Sequence, residues 1–189
     1  GSLGNEQITR LCAATRGSPL MLTLFAALAS AGEDLDSLLI RFGENPPLES
    51  LLMRIWQRLS ARERMLLMRL AVFEVAAPAD AWRDEEEAII TLAERGLVNK
   101  TSADLLVVSP HLRPLVYSLI PVENRREYHG YASQLLEERG NITGAMRQAV
   151  IARDETRALM LWLLHSEEQI ARGQTNTALE ILRSIATTD

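Results

Sequence analysis

Apolar residues recur at helical spacing through nearly the whole chain. In "NEQITRLCAAT", Ile8, Leu11, Cys12 and Thr15 share one face. The next stretch, "SPLMLTLFAALASAG", is apolar almost all round, which predicts a buried helix. Ser18 is its N-cap, Pro19 its first helical residue and Gly32 its C′ stop. A short helix follows in "DLDSLLIRF". "GENPP" (Gly43 to Pro47) then predicts a linker, because two prolines cannot continue a helix. Beyond it, "LESLLMRIWQRL" leads into "SARERMLLMRLAVF". Ser60 and Glu63 form a capping box there, and Leu59, Leu66, Leu67, Leu70 and Phe73 form one apolar stripe. "APADAW" reads as a turn or short helix. "RDEEEAIITLAERG" reads as a helix capped by Asp84, with acids in its first turn and Gly96 at its end.

The period then changes. "LVNKT" and "LLVVS" are β-rich and are separated only by "SAD", which predicts a hairpin whose turn has no glycine for a positive φ. Three helices, a hairpin and a helix follow the order of a winged helix. One hairpin among helices is stable only when it packs on them. From Val122 onward the pattern is helical again, over about 123–138, 142–152, 154–171 and 175–186. Antiparallel pairs of that length suggest a tetratricopeptide-like solenoid. The expected fold class is therefore mainly α: a helical lid over 1–47, a winged helix with one β-hairpin over 48–121, and α-solenoid helices over 122–189.

Composition narrows the function. With 47% hydrophobic residues in 189, a true core can form. The formal net charge of −5 argues against a dedicated nucleic-acid binder. Cys12, the single cysteine, reads as a buried structural thiol. Leu20 to Ala29 is the longest apolar run and is too short to cross a bilayer. No membrane contact and a cytoplasmic, reducing compartment are the expectation. The opening "GS" reads as an expression scar, with natural chain expected upstream. His129 and His165 are too isolated to suggest a metal site, and "DEEE" (Asp84 to Glu87) reads as a solvated helix start.

Several segments together resemble one family. "GSPLML" resembles the Gly-x-Pro-Leu element of NB-ARC-type signal-transduction ATPases with numerous domains (STAND). "LLMRIWQRLSARERMLLMRLAVFE" resembles the junction into their winged helix, and "LAERGLVNK" its third helix and first wing strand. "LLVVSPHLRPLV" resembles the strand and switch segment that follow. "GNITGAMRQAVIARDETRALMLWLLHSEEQIARG" is similar to the helical arm of maltose-activator and large LuxR-type bacterial regulators.

By that resemblance, Gly17, Ser18 and Pro19 match the element that touches bound nucleotide. A plain N-cap–Pro helix start would read the same. Ser109 stands where the family carries its switch histidine, and Arg113 where it carries arginine. Serine brings no positive charge to a phosphate, though it can donate one hydrogen bond. Pro114 fits a helix that starts near Arg113, and His111 reads as a surface or first-turn histidine. No phosphate loop is present. The resemblance therefore implies ATP or ADP in the parent protein only, none bound by this fragment alone, and no enzyme activity in this chain.

The implied role is regulatory: nucleotide state coupled to oligomerisation and to sensing of an inducer or partner, in transcriptional control. Expected partners are an upstream nucleotide-binding domain and a protein or small-molecule inducer at the helical arm, with weak self-association through about 175–186. Two other readings remain. One is a helical-repeat interaction adaptor with no nucleotide link. The other is a DNA-binding winged helix, which Glu86, Glu87 and Glu94 oppose by repelling phosphate, so direct DNA contact is not expected.

Overall fold

A computed structural model of the chain describes residues 5–43, 46–74 and 76–186. The opening Gly-Ser, and Glu44 and Asn45 of the expected linker, lie outside them. The fold is mainly α with a small three-stranded sheet, and it divides into two compact units, Gly1–Ser118 and Leu119–Asp189. The expected segment 1–47 and most of 48–121 fall within the first unit.

The first unit begins with α1 (Asn5–Thr15), α2 (Pro19–Ser30) and α3 (Leu35–Phe42). Helix α2 buries Met21, Leu24, Phe25, Ala27 and Leu28, as its all-round apolar pattern requires. It closes as expected: Gly32 has φ +88°, and the Glu33 N–H donates to Leu28 O. In α1 the buried face is Ala14 and Thr15, whereas Ile8 and Cys12 face solvent. Cys12 is thus an exposed thiol, not the buried one expected. The face that α1 turns inward keeps Thr15 and the half-buried Leu11 of the expected stripe but replaces Ile8 and Cys12 with Ala14.

Helix α4 (Leu48–Trp56) is fixed to the α2–α3 corner by Glu33. That carboxylate accepts from Arg54 Nε at 2.9 Å and lies 2.9 Å from Arg58 Nη2. The hydrogen bond from Arg54 holds the Glu33 carboxyl below its ordinary value of 4.5. Burial opposes that shift, and the charges of Arg54 and Arg58 reinforce it. A carboxylate with a lowered folded pKa stabilises the fold above its unfolded pKa, and that contribution is lost as pH falls through the folded value. Thermal melts from about pH 6 down to about pH 3 should therefore fall less steeply for Glu33→Gln than for the parent. Parallel curves would exclude Glu33 as an acid-sensitive tie.

Helix α5 (Ala61–Ala71) starts on the predicted capping box: Glu63 N–H to Ser60 Oγ at 3.2 Å, and Ser60 N–H to Glu63 Oε2 at 2.6 Å. Then come β1 (Ala77–Pro78), a 3-10 segment (Ala79–Glu85), α6 (Glu86–Glu94), β2 (Val98–Lys100), β3 (Leu105–Val108) and α7 (Arg113–Ser118). The sheet order is β1-β3-β2, all antiparallel, with Ala77 opposite Leu106 and Val98 opposite Val108. Leu66, Leu67, Leu70, Phe73, Trp82, Leu92, Leu97 and Leu106 are buried in this part of the unit.

The hairpin turn obtains its positive φ from Asp104 (φ +54°), a residue type that tolerates the left-handed region. The cap expected at Asp84 is not made. Helix α6 begins two residues later, after Glu85, without a side-chain cap. The buried Trp82 anchors the 3-10 segment, and Arg62 draws Glu85 and the Asp84 carbonyl toward α5.

The second unit comprises α8 (Val122–Glu138), α9 (Ile142–Ile151), α10 (Glu155–Ala171) and α11 (Thr175–Ala186). Asn141 and Asp154 cap α9 and α10, accepting from Gly144 N–H and Arg157 N–H. Ile142, Ala145, Met146, Leu161, Ala178 and Ile181 form the shared core. Ala132, Ala145, Ala149, Ala158 and Ala178 are all fully buried, and such small residues let the helices approach closely. Ser133, also buried, donates to Ala145 O at 2.8 Å and accepts from Arg157 Nε at 3.0 Å, while Arg157 also pairs with Glu137. Buried polar groups need such partners. His129 and Gln148 meet in the same way between α8 and α9. The apolar surface left open is mainly the outer face of α10, where Leu163 and Leu164 are 71% and 68% exposed. Ile181 of α11 is buried. Among the described residues no helix is long and apolar enough to cross a membrane.

Candidate functional site

The start of α2 borders a cleft of about 820 Å³ within the first unit. Its wall is built by a tight corner. Arg16 and Gly17 both take positive φ (+49° and +70°), which stops α1 and turns the chain directly into the Ser18–Pro19 start of α2. Ser18 accepts from the Met21 N–H, and its own carbonyl receives the Leu22 N–H. Pro46 and Pro47, from the expected linker, form part of the opposite side.

His111 also lines this cleft, with Arg16, Ser18 and Pro19. The family resemblance implies that Ser109 and Arg113 share a nucleotide site with Gly17, Ser18 and Pro19. The structure brings Ser18 and Pro19 to the cleft, with Gly17 in the corner behind them, but neither Ser109 nor Arg113 lines it. Ser109 is buried: its N–H donates to Leu97 O at 3.2 Å, and its carbonyl accepts from the Leu112 and Arg113 amides. Arg113 reaches the Ala71 carbonyl at 3.4 Å, which ties α7 to the end of α5. Helix α7 begins at Arg113, so Pro114 sits in its first turn, where its missing N–H does no harm. The signal for His111 was its place two residues beyond Ser109, across Pro110: the turn that buries Ser109 turns His111 outward.

The chemistry of the cleft is limited. The amides of Arg16, Gly17 and Ser18 are already spent on Ala13, Cys12 and Thr15 carbonyls. They cannot cradle a phosphate chain as the free amides of a glycine-rich loop do. Ser18, Pro19 and His111 offer one polar-apolar wall, suited to the edge of a ligand held from elsewhere. Arg16 and His111 are both exposed at its mouth.

A second surface lies on α6 and the β2–β3 hairpin. Glu86, Glu87 and Glu94 are exposed there. Lys100 Nζ lies 2.8 Å from Asp104 Oδ1, and this hydrogen bond raises the pKa of the ammonium. That cation is committed to its neighbour, and the surrounding glutamates repel phosphate.

No protein-family model matches the chain, and no curated protein matches it in sequence. Among solved structures it is similar to a signal transduction ATPase with numerous domains (STAND) protein with a tetratricopeptide repeat sensor from Pyrococcus horikoshii. Identity is 18% and the TM-score 0.59, over 100% of this chain and 33% of that one. The chain thus spans about a third of the length of that protein. At this identity the likeness is one of fold.

Proposed function

We propose that this chain is a regulatory segment of a STAND-type ATPase: a helical lid, a winged helix and the start of a tetratricopeptide-like sensor arm. It transmits nucleotide state and catalyses nothing itself. The observation that carries this reading is the whole-length likeness to a STAND protein with such a sensor, taken together with the cleft at Ser18 and Pro19. The order α5, β1, 3-10 segment, α6, β2, β3 supports the winged helix.

In this reading the phosphates of ATP or ADP are held by a nucleotide-binding domain upstream, and Ser18, Pro19 and His111 border one edge of the ligand. The exchange of ADP for ATP loosens the lid and winged helix in a cytoplasmic regulator that controls transcription. An inducer or protein partner engages the arm. The outer face of α10 is the better seat than α11 for that contact and for weak self-association, because Leu159, Met160, Leu163 and Leu164 are exposed there. The same face is what an adaptor without nucleotide would use, so the nucleotide link is the point to test.

Hydrogen exchange on the parent protein provides that test. Protection over 18–22 and 109–116 should differ between ADP- and ATP-loaded forms, and the difference should shrink in His111→Ala. The isolated chain should show no calorimetric binding of ADP. Equal protection in both nucleotide states would leave the adaptor reading in its place.

A further inference from the structure

The 3-10 segment, α6 and the β2–β3 hairpin enclose a groove of about 370 Å³. Its floor is apolar, made by Trp82, Ala79 and Ile89, and Trp82 is nearly fully buried. Asp80, Glu86 and Asp104 stand on the rim against Arg83 and Lys100. Lys100 is neutralised by Asp104 and is close enough to Glu86 to feel its charge. Ile90 lines the same groove and is 51% exposed. It lies on the outer side of α6 with Glu86, Glu87 and Glu94, at offsets of three or four residues that put them on one face. The basic residue at the end of this helix, Arg95, is turned away toward Glu63 and the Arg58 carbonyl.

We propose that this groove docks a short basic segment of another protein, one that carries apolar side chains between arginines or lysines. The apolar floor removes the partner's leucine-like side chain from water, and Glu86 on the rim, with the exposed Glu87 and Glu94 beside it on α6, receives its cations. Neither half suffices alone. A purely charged segment leaves Ile89 and Ile90 uncovered, and a purely apolar one gains nothing from Glu86 and Glu87. Nucleic acid meets the wrong sign of charge. The volume holds one or two side chains, so the affinity is modest and sensitive to salt.

Fluorescence anisotropy of the 189-residue chain with the labelled hexapeptide KRLLRK tests this. The expected Kd at low salt is on the order of 10–100 µM. The control KRSSRK, which has the same charge without the leucines, should bind at least about fivefold more weakly. Ile90→Ser and Glu86→Lys each alter a solvent-facing position and should keep the parent's helical circular dichroism. Each should weaken KRLLRK by about fivefold or more. Binding of KRLLRK within about twofold of the parent in both variants would overturn the proposal. So would equal affinity for KRSSRK, which would reduce the effect to attraction by an acidic protein. Tight binding of random duplex DNA, lost in Ile90→Ser, would make the surface a nucleic-acid site instead.

Discussion

Gly96→Ala should destabilise the first unit by about 2–3 kcal/mol, from two separable causes. Gly96 closes α6 at φ +66°: its N–H donates to Ala93 O at 2.9 Å, and the next amide, of Leu97, reaches Leu92 O at 3.0 Å. A side chain in the left-handed region costs about 1–2 kcal/mol. The second cause is the approach of α2. A β-carbon on Gly96 would lie 2.1 Å from Thr23 Cγ2 and 3.3 Å from Thr23 Cβ. The threonine cannot swing aside freely, because its hydroxyl is held by the Pro19 carbonyl at 2.9 Å. Thr23→Ala removes the obstructing methyl, so it should return part of the lost stability in the double variant and leave the φ cost in place. Urea denaturation of the four proteins gives the coupling directly. Simple additivity of the two changes would mean that α2 does not press on the end of α6.

That contact shows where the sequence was legible and where it was not. Gly96 was readable as a helix stop, since the apolar period ends just before it. Its close packing against Thr23 was not, because Thr23 breaks the apolar run and is an exposed residue, and only its methyl and β-carbon approach Gly96. The same division recurs elsewhere. A helix start that depends on side chains only three residues apart, as in the capping box of Ser60 and Glu63, was local and therefore visible, although Asp84 satisfied a similar local rule and failed. A distant arginine, Arg62, and a buried tryptophan, Trp82, decided that segment. Strand β1 carries no alternation in its two residues and contains a proline, which is tolerable only because it lies at the sheet edge. The candidate site divides likewise. Ser18 and Pro19 were legible as a helix start, while the choice between Ser109 and His111 depended on which way a turn at Pro110 rotates.

Leu70→Ala should cost about 2–5 kcal/mol, the usual range for a leucine removed from a closed core. Leu70 is 2% exposed on α5, a helix that packs against α6, α7 and β3. No single neighbour can fill the space left behind, because each is held by its own contacts with the others. The sequence stripes place Leu66, Leu70, Phe73, Ile89, Leu92 and Leu97 in one core, and five of these are buried. Ile89 is the exception: it is half-buried at the floor of the groove between α6 and the β2–β3 hairpin. Solvent or a neighbouring side chain can enter where its methyls were, so Ile89→Ala should cost less than half as much as Leu70→Ala. Thermal or urea unfolding of the two variants side by side makes the comparison, because both report on the same unit. Equal losses would mean that the groove is closed in solution and that Ile89 belongs to the core after all. A loss at Leu70 within error of zero would mean that α5 turns a different face inward.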